Sequence, residues 1–280
     1  MSAVAISKLC AELPVARMPV WFIPHGGGPC FFMQWQPADT WLKMGQFLAT
    51  LPETLPCRPV AIVMISAHWL EPVFTVTSGA QPPLIYDYYG FPPHTYSLRY
   101  PAPGMPQLAE QVMDLLTRAG LASKSDSQRG FDHGMFIPLK LMFPDAQIPV
   151  IQLSLHHSLD PQLHFQVGQA LAALRDAGVL LIGSGMSFHN MRGYGDPRFG
   201  PVSDQFDDWL TAAVAAEPEQ RRQALLQWTQ APSAGLCHPP GAEEHLLPLM
   251  VVAGAAEQDN AKRVFSDRVL ETTISAFQFG

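Results

Sequence analysis

Ten histidines occur in the 280-residue chain, and their placement carries more information than their number. His25 follows an apolar run directly, in IPHGGGP; His68 closes a second, in MISAHW; His189 follows a third, in GSGMSFHN. Neutral imidazole is a ligand for zinc, iron, copper and nickel, and it is also the side chain best suited to moving protons near neutral pH. Two more histidines sit among turn residues. His133 lies in RGFDHGMFIPL, between Asp132 and Gly134 and ahead of a helical stretch. His245 lies in HPPGAEEHLLPL, beside Glu243 and Glu244. Those acidic residues are expected at a helix start from the helix dipole alone, so they do not by themselves argue for a site. His94, His156, His157, His164 and His238 lack a comparable position and read as structural or peripheral. Residue types alone leave a metal centre, an acid–base site and buried structural imidazoles all open.

The elements that must position these residues alternate. Residues 18–23 (MPVWFI), 59–66 (PVAIVMIS), 73–77, 149–155 (PVIQLSL) and 179–183 (VLLIG) read as strands, several of them apolar on both faces, as in a sheet covered on each side. Helical patterns fall near 38–51, 106–119, 138–142, 161–177, 203–216 and 243–254, with a last strand within 264–279. The expected fold is α/β, a single domain with a central mixed, largely parallel β-sheet and helices on both faces. Ligands of open α/β sheets bind at the carboxyl ends of the strands, where His25, His68 and His189 fall. No internal repeat or low-complexity linker divides residues 1–280, and residues 1–17 read as an N-terminal extension.

Composition excludes several classes. Hydrophobic residues make up 48% and charged residues 15%, enough apolar material for a large core and against global disorder. The formal charge of −7 is spread without basic blocks, which disfavours nucleic acid as a partner. Apolar runs near 60–65 and 179–182 are too short to span a bilayer, and Lys8, Glu12 and Pro14 interrupt the N-terminus before a signal sequence could form. Cys10, Cys30, Cys57 and Cys237 have no CxxC pair, so the expectation is reduced thiols in a cytoplasmic protein.

Other motifs are weaker. HGGG at 25–28 is like the oxyanion loop of esterases, but the G-x-S-x-G elbow that chemistry needs is missing; residues 185–189 read GMSFH. There is no H-E-x-x-H helix, Walker loop or complete G-x-G-x-x-G. Residues 79–106 are rich in Pro, Gly and Tyr, as in a functional loop. Tyr86, Tyr88, Tyr89, Phe91, Tyr96 and Tyr100 within it could line a pocket for a flat ligand, pin the loop to the core, or form a subunit contact.

Taken in order, PHGGGP, ISAHW, YDYYGFP, LRYPAPG, FDHGMFIPLKLMFPDAQIPVIQLSL, IGSGMSFHN and EHLLPLMVVAGAA resemble the DOPA-type extradiol dioxygenases, within the class III ring-cleaving superfamily that includes the protocatechuate 4,5-dioxygenase catalytic subunit. The resemblance runs from about Pro19 onward, with HGGGP departing from the shorter HGSP-like turn usual there. It implies a non-haem Fe(II) enzyme that opens a small catechol with O₂. His25 and His68 would be metal ligands, with His245 standing where other class III enzymes have a ligand glutamate. Glu243 or Glu244 stays open as an alternative ligand. His189 would be the acid–base residue, and is also counted as a fourth ligand when zinc fills the site. His133 would assist substrate binding and proton transfer. Zn(II) is the rival occupant. A zinc hydrolase using the same histidines and a non-catalytic relative on this fold are the alternative readings. Family habit and the aromatic loop leave a homodimer open; Trp69 and His94 are further candidates for the pocket wall.

Overall fold

The computed structural model describes residues 16–280, so most of the expected N-terminal extension, 1–15, lies outside the described residues. One eight-stranded sheet runs through the chain in the order β4-β3-β5-β2-β6-β1-β8-β7. The strands are β1 (Val20–Pro24), β2 (Ala61–Glu71), β3 (Phe74–Thr77), β4 (Ser123–Asp126), β5 (Val150–His156), β6 (Val179–Gly185), β7 (Ala261–Val269) and β8 (Thr272–Phe279). The centre, β5-β2-β6-β1, is parallel throughout. Antiparallel pairing enters where β3 meets β5 and where β8 meets β1 and β7. Every residue of β1 and β6 is buried, which accounts for their unbroken apolar character.

Eight α-helices flank the sheet among the described residues: α1 (Leu42–Thr50), α2 (Pro106–Arg118), α3 (His133–Met142), α4 (Pro161–Leu171), α5 (Phe199–Ala215), α6 (Pro218–Leu226), α7 (Ala234–Cys237) and α8 (Leu247–Ala255). Two neighbouring residues of β6 show that both faces are covered. A Cβ on Gly183 would meet Pro248 of α8, whereas the Ser184 side chain bonds Gly134 of α3. Successive strand residues face opposite ways, so α8 and α3 lie on opposite faces. None of the helices is long and apolar enough to cross a membrane.

The structure corrects the sequence expectations in several places. The last strand is a hairpin, β7 and β8, turning through Leu270 and Glu271 at φ 46° and 68°. Such a turn is normally signalled by Asn-Gly or Asp-Gly, and Leu-Glu gives no such signal. The edge strand β4 and the polar helix α6 lack the periodicity that would reveal them. Helix α5 begins at Phe199 rather than near Ser203. Helix α3 begins at His133 rather than at Pro138, so Pro138 stands inside it.

Candidate metal centre

Each of the five histidines reaches the carboxyl edge of the sheet by a different local device. His25 follows the last residue of β1, and its N–H bonds the Gly185 carbonyl at 3.3 Å. β2 runs past its expected end, and its pairing with β5 slips between Ile65 and Leu70. His68 sits in that irregular stretch, the kind of bulge that redirects a side chain at a sheet end. His245 lies just before α8; its carbonyl accepts from Met186 N–H at 3.0 Å, and a Cβ on Gly185 would stand 2.1 Å from that oxygen. Only glycine at 185 permits this approach. His189 is held in the loop after β6 by its N–H on the Cys237 carbonyl. His133 opens α3, where Asp87 Oδ1 accepts both its backbone N–H, at 2.9 Å, and its ring Nδ1–H, at 2.8 Å.

The hydrogen bonds define the tautomers. Pro138 has no N–H to give the carbonyl of Gly134, four residues earlier, so that oxygen is free within the helix. The Ser184 hydroxyl donates to it. Having spent its proton there, Ser184 Oγ can only accept from His25 Nδ1, 3.0 Å away. His25 is therefore protonated on Nδ1, and its Nε2 presents a lone pair. His245 Nδ1 lies 2.9 Å from Glu244 Oε1, and His133 Nδ1 is committed to Asp87, so their Nε2 lone pairs are also free. His25 Nε2 and His68 Nε2 are 3.1 Å apart. Metal–nitrogen bonds of about 2.0–2.1 Å place neighbouring ligand nitrogens about 2.9–3.4 Å apart, so this spacing suits one coordination shell.

Three groups of potential ligand atoms each lie within 4.8 Å of one another: His25/His68/His245, His68/Asp87/His133 and His189/Glu244/His245. In the second and third, the carboxylate already accepts an imidazole N–H. In the first, two of the three imidazoles have their tautomer fixed with Nε2 free, the donor set that fits a divalent metal, with the carboxylates acting from behind. Glu243 turns away, accepting from Gly241 N–H at 2.8 Å. His189 stacks on His245 at 3.3 Å between ring centres, and its buried Nδ1 has no hydrogen-bond partner, Glu244 Oε1 standing 3.8 Å away.

Burial is the main influence on the cluster's protonation. Removal from water, followed by repulsion from the other imidazoles, holds His25, His68 and His245 neutral, well below the usual histidine range. Burial and then the nearby His133 push His189 down to about 4. Burial alone would raise Asp87, but the hydrogen bond and charge of His133 outweigh it and leave its carboxyl lowered. Burial raises Glu244. A metal needs these imidazoles neutral.

The five histidines form the floor of a cavity of about 490 Å³. A larger depression of about 760 Å³, at the amino end of β1 around Arg17 and Glu217, contains no histidine. Tyr88, Tyr89 and Phe91 of the aromatic loop line the histidine cavity. The loop is also pinned, since Tyr86 and Tyr88 hydroxyls donate to the Leu98 and Thr95 carbonyls. Trp69 and His94 stand outside the cavity wall: Trp69 lies under the Arg129 guanidinium, and His94 bonds the Phe32 carbonyl. Ser184 and Asp87 were not singled out by sequence reasoning. Both lie in stretches that carry the family resemblance, IGSGMSFHN and YDYYGFP, but nothing local in either stretch gives the residue a role. The described cysteines, Cys30, Cys57 and Cys237, are free thiols.

Residues 20–278 match the family described as catalytic LigB subunit of aromatic ring-opening dioxygenase. The chain is 42% identical over 206 residues to the 4,5-DOPA dioxygenase extradiol of Beta vulgaris, covering 72% of this chain and 75% of that one. It is 37% identical over 242 residues to the enzyme of the same name from Escherichia coli K12, covering 85% of each. The dioxygenase tasH of Hapsidospora irregularis is 36% identical over 286 residues, covering 96% of this chain and 88% of that protein. A crystal structure of an uncharacterized Escherichia coli K12 protein superposes with a TM-score of 0.76 at 32% identity, covering 94% of this chain and all of the other.

Proposed function

Since this chain belongs to the class III extradiol family of aromatic ring-opening dioxygenases, we propose that His25, His68 and His245 hold the metal for extradiol cleavage of a small catechol. The observation that carries this reading is the hydrogen-bond logic of the cluster. Ser184 and Glu244 accept the Nδ1 protons of His25 and His245, and the 3.1 Å between His25 Nε2 and His68 Nε2 suits a shared ion. Fe(II) bound there supplies the redox-active centre that triplet O₂ requires to react with a catechol, and Lewis acidity toward the catechol oxygens. Zn(II) suits the same nitrogens and is favoured over Fe(II) by intrinsic affinity, but it has no redox chemistry.

The chain's own residues handle protons and water. His189, kept neutral by burial, accepts a catechol proton and returns one as the ring opens. His133 has its Nδ1–H anchored on Asp87, so its Nε2 is directed by that bond and serves the substrate as a second hydrogen-bonding group. The aromatic walls keep bulk water from the reacting groups. Electrons come from the substrate, so both atoms of O₂ enter one ring-opened product. The test loads the protein with Fe(II) anaerobically and follows oxygen uptake over a catechol panel. DOPA, named in several relatives, is the reference compound. One O₂ per catechol, with both ¹⁸O atoms in the product, is the expected result. Iron-loaded protein that takes up no oxygen with any catechol would overturn the reading.

A further inference from the structure

The cavity above the histidines differs sharply in chemistry from its floor. Among the described residues lining it, none is Lys, Arg, Asp or Glu. Its walls are aromatic and thioether surface, including Trp35, Trp41, Tyr88 and Met186. Tyr89 and Met191 also line it while remaining 91% and 73% exposed, so they form its rim. Asp87 and Glu244 are the nearby carboxylates, and both are committed to imidazole N–H groups behind the floor. Arg192, next to Met191 in sequence, is exposed and is not part of the lining.

Size adds a second constraint. At about 490 Å³ the cavity falls within the range of about 300–1,000 Å³ that holds drug-sized ligands. A bare catechol would leave much of that space to water against apolar walls. Resting on the catechol reading above, we infer that the substrate is a catechol carrying a sizeable, uncharged, apolar or aryl substituent directed at the rim formed by Tyr89 and Met191. Such a substituent gains by leaving water and by edge or face contact with the rings. A carboxylate or ammonium in the same place would lose hydration with no counter-ion in the wall.

Three probes test the inference: 4-butylcatechol, the carboxylate-bearing dihydrocaffeate, and DOPA, which is zwitterionic. Titration calorimetry on the full zinc-loaded chain reads binding without turnover, and kcat/KM on the iron-loaded chain reads the same order. The expected result is preference for 4-butylcatechol by about tenfold or more, since a single methylene in an apolar pocket already changes selection by about 10–200-fold. Met191→Arg, at an exposed position, narrows or reverses the preference against dihydrocaffeate. Equal or tighter binding of dihydrocaffeate or DOPA overturns the inference while leaving the dioxygenase reading intact. An unaltered ratio in Met191→Arg overturns it too, because a cation at the rim would then be irrelevant to selection. If none of the three binds protein carrying its full metal complement, the catechol reading falls, and this inference with it.

Discussion

His164 and His25 are equally hidden from solvent, at 0% and 1% exposure, yet they are chemically different groups. His164 spends both ring nitrogens on backbone. Its Nδ1 donates to the Asp160 carbonyl at 2.7 Å, and its Nε2 accepts from His156 N–H at 3.0 Å. His25 spends only Nδ1, on Ser184, and keeps Nε2 for the space it shares with His68. Burial depresses the basicity of both. Neither burial nor a lowered pKa therefore separates a structural histidine from a candidate ligand in this molecule. The difference is the number of lone pairs left over, and whether several of them meet.

The comparison breaks most visibly through substitution of the imidazoles themselves. His25→Ala and His245→Ala are expected to reduce bound metal from about one equivalent to near zero and to abolish ring cleavage, whereas His164→Gln retains the metal. Elemental analysis after reconstitution checks this, and equal metal loss in all three variants would erase the distinction. Within the cluster, His189→Phe and His133→Ala are expected to keep the metal and lower kcat, by about 10²–10⁴-fold for His189. Should His189→Phe lose metal as His25→Ala does, His189 belongs with the ligands.

The groups behind the imidazoles should have smaller effects. Ser184→Ala and Glu244→Gln are expected to weaken metal affinity by about 10–100-fold, because each releases an Nδ1–H that fixes a tautomer. Competition with a chelator of known affinity measures it, and unchanged affinity would mean that the tautomers are set elsewhere. His164 is expected to act on stability alone. Burial lowers it from 6.5 to about 4, so the unfolded chain takes up a proton in that window that the folded chain refuses. Its contribution is complete above pH 6.5 and is lost as pH falls toward 4, by roughly 2–3 kcal/mol. The stability gap between wild type and His164→Gln, read by urea unfolding, should therefore narrow from pH 7 to pH 4.5. A gap independent of pH would contradict the burial argument.

Much of the frame was legible because it rests on local pattern. Apolar strands followed by histidines are visible in MPVWFIPH and VMISAH, and buried parallel strands must be apolar on both faces. The alternation of strands and helices predicts the layered α/β sheet that the chain adopts. The β7–β8 turn was hidden because Leu270 and Glu271 adopt positive φ without the usual turn residues. The start of α3 was hidden because Pro138 normally marks the beginning of a helix, and here it sits in the second turn.

The sequence by itself determined which side chains could do chemistry and that several stand at strand ends, because residue type and short-range periodicity are local properties. It also determined the likeness to ring-opening dioxygenases through motifs spread along most of the chain. Only the tertiary structure decided how the imidazoles are used. Pro138 leaves Gly134 an unpaired carbonyl, Ser184 from another element donates to it, and His25 from a third must then donate to Ser184. Asp87 is brought to His133 by a loop whose Ile85 N–H bonds the Phe131 carbonyl. A tautomer depends on the partner of the opposite ring nitrogen, and that partner lies 159 residues away for His25 and 46 for His133. No local pattern can encode a hydrogen bond across such a separation; packing of the sheet and its helices makes it.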